Sequence, residues 1–149
     1  MRGKIANTKH LTDLQARGFA VECAKRALSK YGDRVAHRHL TDAIAFAERM
    51  AFGEDIAHED RISSLWWETL EWRDHELAPY GVTLAIALIG GDGFFALKEV
   101  SDQCLVEPVL GEDGKTRVYN EHLRADEDEM RWQVRRLIEL LYPKTAVQL

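Results

Sequence analysis

The sequence predicts an all-α fold: a single-domain bundle of five or six helices with a short β-hairpin before the C-terminal helix. Three observations carry this. Apolar residues recur at i, i+3, i+4 and i+7 through most of the chain. Helix start and stop residues, among them Thr12, Gly32, Gly53, Pro79 and Pro143, punctuate those runs. A β-type signature is confined to 106–119. The length, 149 residues, suits one domain, so 1–149 reads as one helical unit with 1–11 and 144–149 as frayed ends.

Taken in order, Thr12 with Gln15 forms a capping box that opens a first helix running to about Tyr31, and Gly32-Asp33 ends it. Its inner arc, Ala20, Cys23, Ala24, Ala27, Leu28 and Tyr31, is mostly small and predicts a close helical neighbour. A second helix, about Val35 to Phe52, places Leu40, Ala43, Ile44, Ala47 and Met50 on one face, with Gly53 as its stop. These two should form an antiparallel hairpin with an alanine-lined seam. A third helix starts near Ala57 or His58 and ends before Pro79. Val82–Ile89 is short and apolar all round; its Ala and Leu content favours a buried helix over a strand. Gly90, Gly91 and Gly93 break it, and helix resumes from Phe94 to about Cys104. GGDG lacks the flanking strand and Lys-Ser/Thr of a phosphate-binding loop and reads as a helix–helix corner. Asp113-Gly114 between β-prone runs signals the hairpin, and Pro108 confines its first strand to an edge. The last helix, about Glu127 to Tyr142, opens on Asp126, Glu127, Asp128 and Glu129, which oppose the helix dipole. Its apolar arc is Met130, Val134, Leu137, Ile138, Leu140 and Leu141, expected to face the core, and Pro143 closes it.

Composition excludes several classes. With 46% hydrophobic and 30% charged residues the chain is neither disordered nor membrane-spanning. No secretory signal is visible at the start, and Cys23 and Cys104 match no metal or redox spacing. Reduced thiols and a cytoplasmic location are therefore expected. The net charge of -5 hides an asymmetry: residues 1–40 hold nine Lys/Arg against three Asp/Glu, and residues 41–80 hold three against ten. Attraction between neighbouring helices is the simplest use of these charges. Without a dense Arg/aromatic stripe, specific nucleic-acid binding has little support.

Two tryptophans fall outside the apolar arcs of their helices. Trp67 lies about 60° beyond the arc of Ile62, Leu65, Trp66, Leu70, Trp72 and Leu77, at 100° per residue. Trp132 projects opposite the arc of the last helix. Exposed Trp and Arg are common interface anchors, so Trp67 and Trp132, with Arg131 and Arg135, are the candidate partner-binding residues. Packing on a third layer of the domain is the alternative for each ring. For chemistry the chain offers little. Glu71 and His75 share a helical face, and with Asp55 and His58 they could line a carboxylate–histidine pocket of the kind built into bundles. There is, however, no Glu-x-x-His, His37 and His39 point apart on a helix, and no Gly-x-Ser-x-Gly is present. No metal and no cofactor is expected. Arg73, in the middle of an apolar arc, requires a carboxylate partner or an anionic ligand.

Three stretches carry a resemblance: FAVECAKRALSKYGD with its alanine/cysteine seam, HLTDAIAFAERMAFGE with its closing Gly-Glu, and EMRWQVRRLIELLYP with its Trp-Gln and leucine pattern. Together these cover about a third of the chain and resemble the small helical immunity proteins of bacterial toxin systems. The resemblance implies an all-helical scaffold that acts by binding and offers no catalytic residues. The expected function is a non-enzymatic protein-binding inhibitor that occupies a toxin or other effector. A phage or mobile-element factor belongs to the same class, and self-association stays open. The alternatives are a small metal- or ligand-binding enzyme centred on Glu71 and His75, or a nucleic-acid-linked regulator using the basic first forty residues.

Overall fold

Helix termini follow the capping residues closely. The computed structural model describes residues 10–32, 38–56, 63–67, 80–106, 109–110, 116–117 and 125–143. α1 spans Asp13–Tyr31. The Thr12 hydroxyl accepts from the Gln15 backbone N–H while the Gln15 side chain accepts from the Thr12 N–H, so both arms of the capping box are closed. Gly32, at φ 53°, ends the helix in a conformation that costs a side-chain-bearing residue dearly. α2 spans Arg38–Ala51. Residues 63–67 are helical; the remainder of the expected third helix lies outside the described residues. α3 spans Tyr80–Ile89, so the apolar run is helical. α4 spans Gly93–Cys104, with Asp92 as N-cap accepting from the Phe95 N–H. α5 spans Glu127–Leu141. The described residues are thus mostly helical, in six segments. β1 (Val109–Leu110) and β2 (Thr116–Arg117) pair antiparallel, Val109 with Arg117 and Leu110 with Thr116. The Asp113-Gly114 turn expected between them lies outside the described residues, as do Arg73, Glu71, His75, His58 and His37.

α1 is the central element. Ala20, Cys23, Ala24 and Ala27 are buried on it, with Ala43 and Ala47 buried on α2. Gly18 comes close to Ala51, and Gly53 to Leu14, which makes the two helices antiparallel. α4 lies along another side of the seam. Cys104 Sγ sits 3.7 Å from the Cys23 carbonyl, and Gly93 abuts Asp13, so α4 runs parallel to α1. A Cβ on Gly93 would come within 2.0 Å of the Asp13 carbonyl oxygen, so only glycine fits there. Both cysteines are buried thiols outside any disulfide, and burial pushes the Cys23 thiol far above the ordinary range, leaving it unreactive.

A buried cation joins α1 to the end of α3 and the turn that leads into α4. The Arg17 guanidinium, on the seam side of α1, donates to the Leu88 carbonyl at 2.7 Å and the Gly91 carbonyl at 2.6 Å. Those oxygens belong to the end of α3 and the turn after it, where carbonyls lack partners within the helix. Burial pulls the Arg17 pKa below the usual arginine value, against the pull of Asp13 and Asp92. Asp13 in turn accepts from the Gly93 N–H at 2.7 Å. The corner Gly90–Gly93 is therefore gripped from α1 by a cation and an anion one helical turn apart.

Candidate protein-binding surface

Amphipathicity alone turns the apolar arc of α5 inward. The structure turns it outward. Three rungs of opposite charge set the orientation. On α1, Glu22, Arg26 and Lys30 stand at i, i+4 and i+8, with signs minus, plus, plus. On α5, Arg136, Glu129 and Asp126 answer them in reverse order. Arg136 Nε lies 3.0 Å from Glu22, Arg26 Nε 2.9 Å from Glu129, and Lys30 Nζ 2.8 Å from Asp126. The reversed order is what makes α5 antiparallel to α1.

Asp126 and Glu129 are both buried, so their charges require the full set of partners. Asp126 Oδ1 accepts the Glu129 N–H as helix N-cap, and Oδ2 accepts from Lys30 and, at 2.5 Å, from the Tyr31 hydroxyl. Burial works against this carboxylate, but the bonds from Lys30, Tyr31 and the Glu129 N–H outweigh it and hold the carboxyl below its ordinary value. Gln133, also buried, donates to the Ser101 carbonyl at 3.1 Å and ties α5 to α4. The Asp126 N–H donates to the Leu105 carbonyl at 2.7 Å. Trp132 lies within this inner face. Its ring stacks on Phe19, centroids 5.7 Å apart and planes 6° from parallel, and the Arg26 guanidinium lies over the ring, 4.2 Å from its centroid. The expectation that Trp132 is an exposed anchor is therefore corrected: it does project opposite the apolar arc, and that side is the core side.

The outer face follows directly. Met130, Val134, Ile138 and Tyr142 are 47%, 54%, 53% and 57% exposed, and only Leu137 and Leu140 of the expected arc pack against the core. With Arg131, Arg135 and Glu139 the four line a shallow concavity of about 440 Å³. Arg131 is paired with Asp128 along the helix, and Arg136 also reaches Glu139 at 3.2 Å. Arg135 is exposed and has no ion-pair partner among the described residues. Of the candidate residues, the structure thus brings Arg131 and Arg135 together on the exposed side of α5. Trp67 is 63% exposed on a separate segment, next to Trp66, whose ring closes on Gly90. Trp67 and Trp132 do not form one exposed patch.

Four of the nine basic residues of the first forty, Arg17, Lys25, Arg26 and Lys30, are engaged within the molecule. Lys25 pairs with Glu48 of α2 at 2.8 Å, but Arg26 and Lys30 pair with the acidic start of α5 rather than with residues 41–80. Among the described residues no group of three or more His, Cys, Asp or Glu is placed to hold a metal ion. No helix among them is long and apolar enough to cross a membrane. Compared with known proteins, the chain matches no family model, no curated protein and no solved structure.

Sequence reasoning missed the outer ridge of α5 and the polar joint beneath it. The signal was present in the charges: Glu22, Arg26 and Lys30 of the first helix are answered by Arg136, Glu129 and Asp126, opposite in sign and reversed in order, which docks the two helices antiparallel through that face.

Proposed function

We propose that the protein is a non-enzymatic binding factor, an immunity or anti-effector protein that occupies a toxin or another effector through the outer face of α5. The observation that carries this reading is the inverted docking of that helix. A helix held to the core by its charged side, with an aliphatic ridge left to solvent, has its apolar surface free for another molecule. Arg135 and the Asp128–Arg131 pair border the ridge, an arrangement of apolar centre and polar rim typical of protein interfaces. Against the reading as a nucleic-acid regulator, Arg17, Lys25, Arg26 and Lys30, the cations of the basic segment whose side chains are described, are each engaged by protein groups.

The test is protection. Cells are made to express the effector encoded beside this chain, with and without the chain itself. Protection is expected, with loss of most of it in Val134→Asp and Ile138→Asp. An unpaired carboxylate placed in the apolar centre of such an interface costs about 2 kcal/mol or more of binding, roughly a thirtyfold change in affinity. Full protection by both variants, or no effect on any neighbouring gene product, overturns the proposal.

A further inference from the structure

We infer that the same face of α5 pairs with its counterpart on a second copy of this chain, antiparallel about a two-fold axis passing near Leu137. A two-fold interface uses one patch twice, so the patch must complement itself. Two neighbouring i, i+4 rows occupy the outer face. One is apolar, Met130, Val134, Ile138 and Tyr142; the other is charged, Glu127, Arg131, Arg135 and Glu139, with signs minus, plus, plus, minus. Reversing the charged row leaves its order of signs unchanged, so the register alone decides between attraction and repulsion. An axis at Gln133 sets Arg131 against Arg135 of the second copy, and Glu127 against its Glu139. That register is repulsive.

An axis at Leu137 behaves differently. It places Val134 and Ile138 at three positions before and one after the centre, with Met130 and Tyr142 seven before and five after. The second copy fills the alternate positions, so the apolar side chains interleave at two-residue steps. Arg135 then lies opposite Glu139 of the second copy, and Glu139 opposite its Arg135. Arg135, free of ion pairs among the described residues, gains a carboxylate, and the Arg136–Glu139 contact is extended rather than broken. Among the described residues, α1 and α4 pack on the far side of α5, against Trp132 and Gln133, which leaves the outer face clear of them.

Area sets the strength. A helix of 15 residues is about 22 Å long, and one helix-on-helix contact of that length falls near or below the roughly 1,200 Å² at which stable interfaces begin. The pair is therefore a reversible dimer, and an effector that takes the same ridge displaces the second copy.

Sedimentation equilibrium of the purified chain, from about 5 to 500 µM, tests the inference without any effector, so its failure is separable from failure of the functional proposal. The expected result is a monomer–dimer equilibrium that Ile138→Glu abolishes while the circular dichroism spectrum stays unchanged. A charge exchange then tests the register. Arg135→Glu alone and Glu139→Lys alone each bring two like-charge pairs together, and each weakens the dimer about tenfold. An equimolar mixture of the two variants restores both pairs, and dimerisation returns to within about threefold of the parent chain. A monomer at all concentrations, a dimer indifferent to Ile138→Glu, or a mixture no better than either variant alone overturns the inference.

Discussion

α1 is held on two sides by different physics. Toward α2 and α4 it presents Ala20, Cys23, Ala24 and Ala27, and the contact is one of small side chains at close range. Toward α5 it presents Glu22, Arg26 and Lys30, and the contact is three ion pairs around a stacked indole. The first side tolerates no added volume, and its seam holds no carboxylate. The second tolerates volume changes at its rim but depends on the ionisation of buried carboxylates. The difference teaches that one helix can be fixed by shape on one flank and by charge on the other, and that each flank fails under a different stress.

The largest expected effect breaks the charged flank. In Arg26→Ala the carboxylate of Glu129 stays buried without its cation, and the face of Trp132 is uncovered. Removing one partner of a buried pair costs about 3 kcal/mol or more. Urea unfolding followed by Trp fluorescence should show that loss of stability. The shape-fixed flank is tested by Ala24→Leu. The three heavy atoms that leucine adds have no room between α1 and its neighbours, and overpacking costs about 1–3 kcal/mol. The thermal midpoint should fall, and an unchanged midpoint means the seam is looser than described.

Acid separates the flanks without mutation. Because the folded carboxyl of Asp126 is held below its unfolded value, its contribution is present above the unfolded pKa and is lost as pH falls through the folded one. Stability should decline on the acid side of the carboxylate range, and in Asp126→Asn this part of the decline should disappear at the cost of a lower stability near neutrality. Burial of Cys23 and the alanines supplies no such dependence. The smallest effect is expected at Trp67. It is exposed, and Trp67→Ala should change folding stability by about 0.5 kcal/mol or less, read from the same urea titration.

Much of the fold was legible because local chemistry and tertiary packing agree there. Thr12 and Gln15 cap α1, Gly32 and Gly53 end helices where left-handed backbone is needed, and the alanine/cysteine positions are the buried ones. α5 was read the wrong way round because the rule that the largest apolar arc seeks the core weighs side chains one helix at a time. The decision here lies in the pairing of two helices: Asp126 and Glu129 find Lys30, Tyr31 and Arg26, and burying that network with Trp132 and Gln133 outweighs burying Met130, Val134 and Ile138. Arg17 was overlooked for a related reason. Its partners are backbone carbonyls of Leu88 and Gly91, and a carbonyl left over at a helix end has no signature in the side-chain sequence.

That arginine also governs how the domain assembles. α3 has ten residues, fewer than the roughly 12–15 an isolated helix needs to persist in water, and the carbonyls of Leu88 in its last turn and of Gly91 just beyond it accept from a side chain 71 and 74 positions earlier in the chain. The C-terminal end of α3 gains these two bonds only when α1 is in place, so the two helices are expected to gain and lose order together. Amide hydrogen exchange at Leu88 and Ile89 should then track that of the middle of α1, and Arg17→Met should uncouple them.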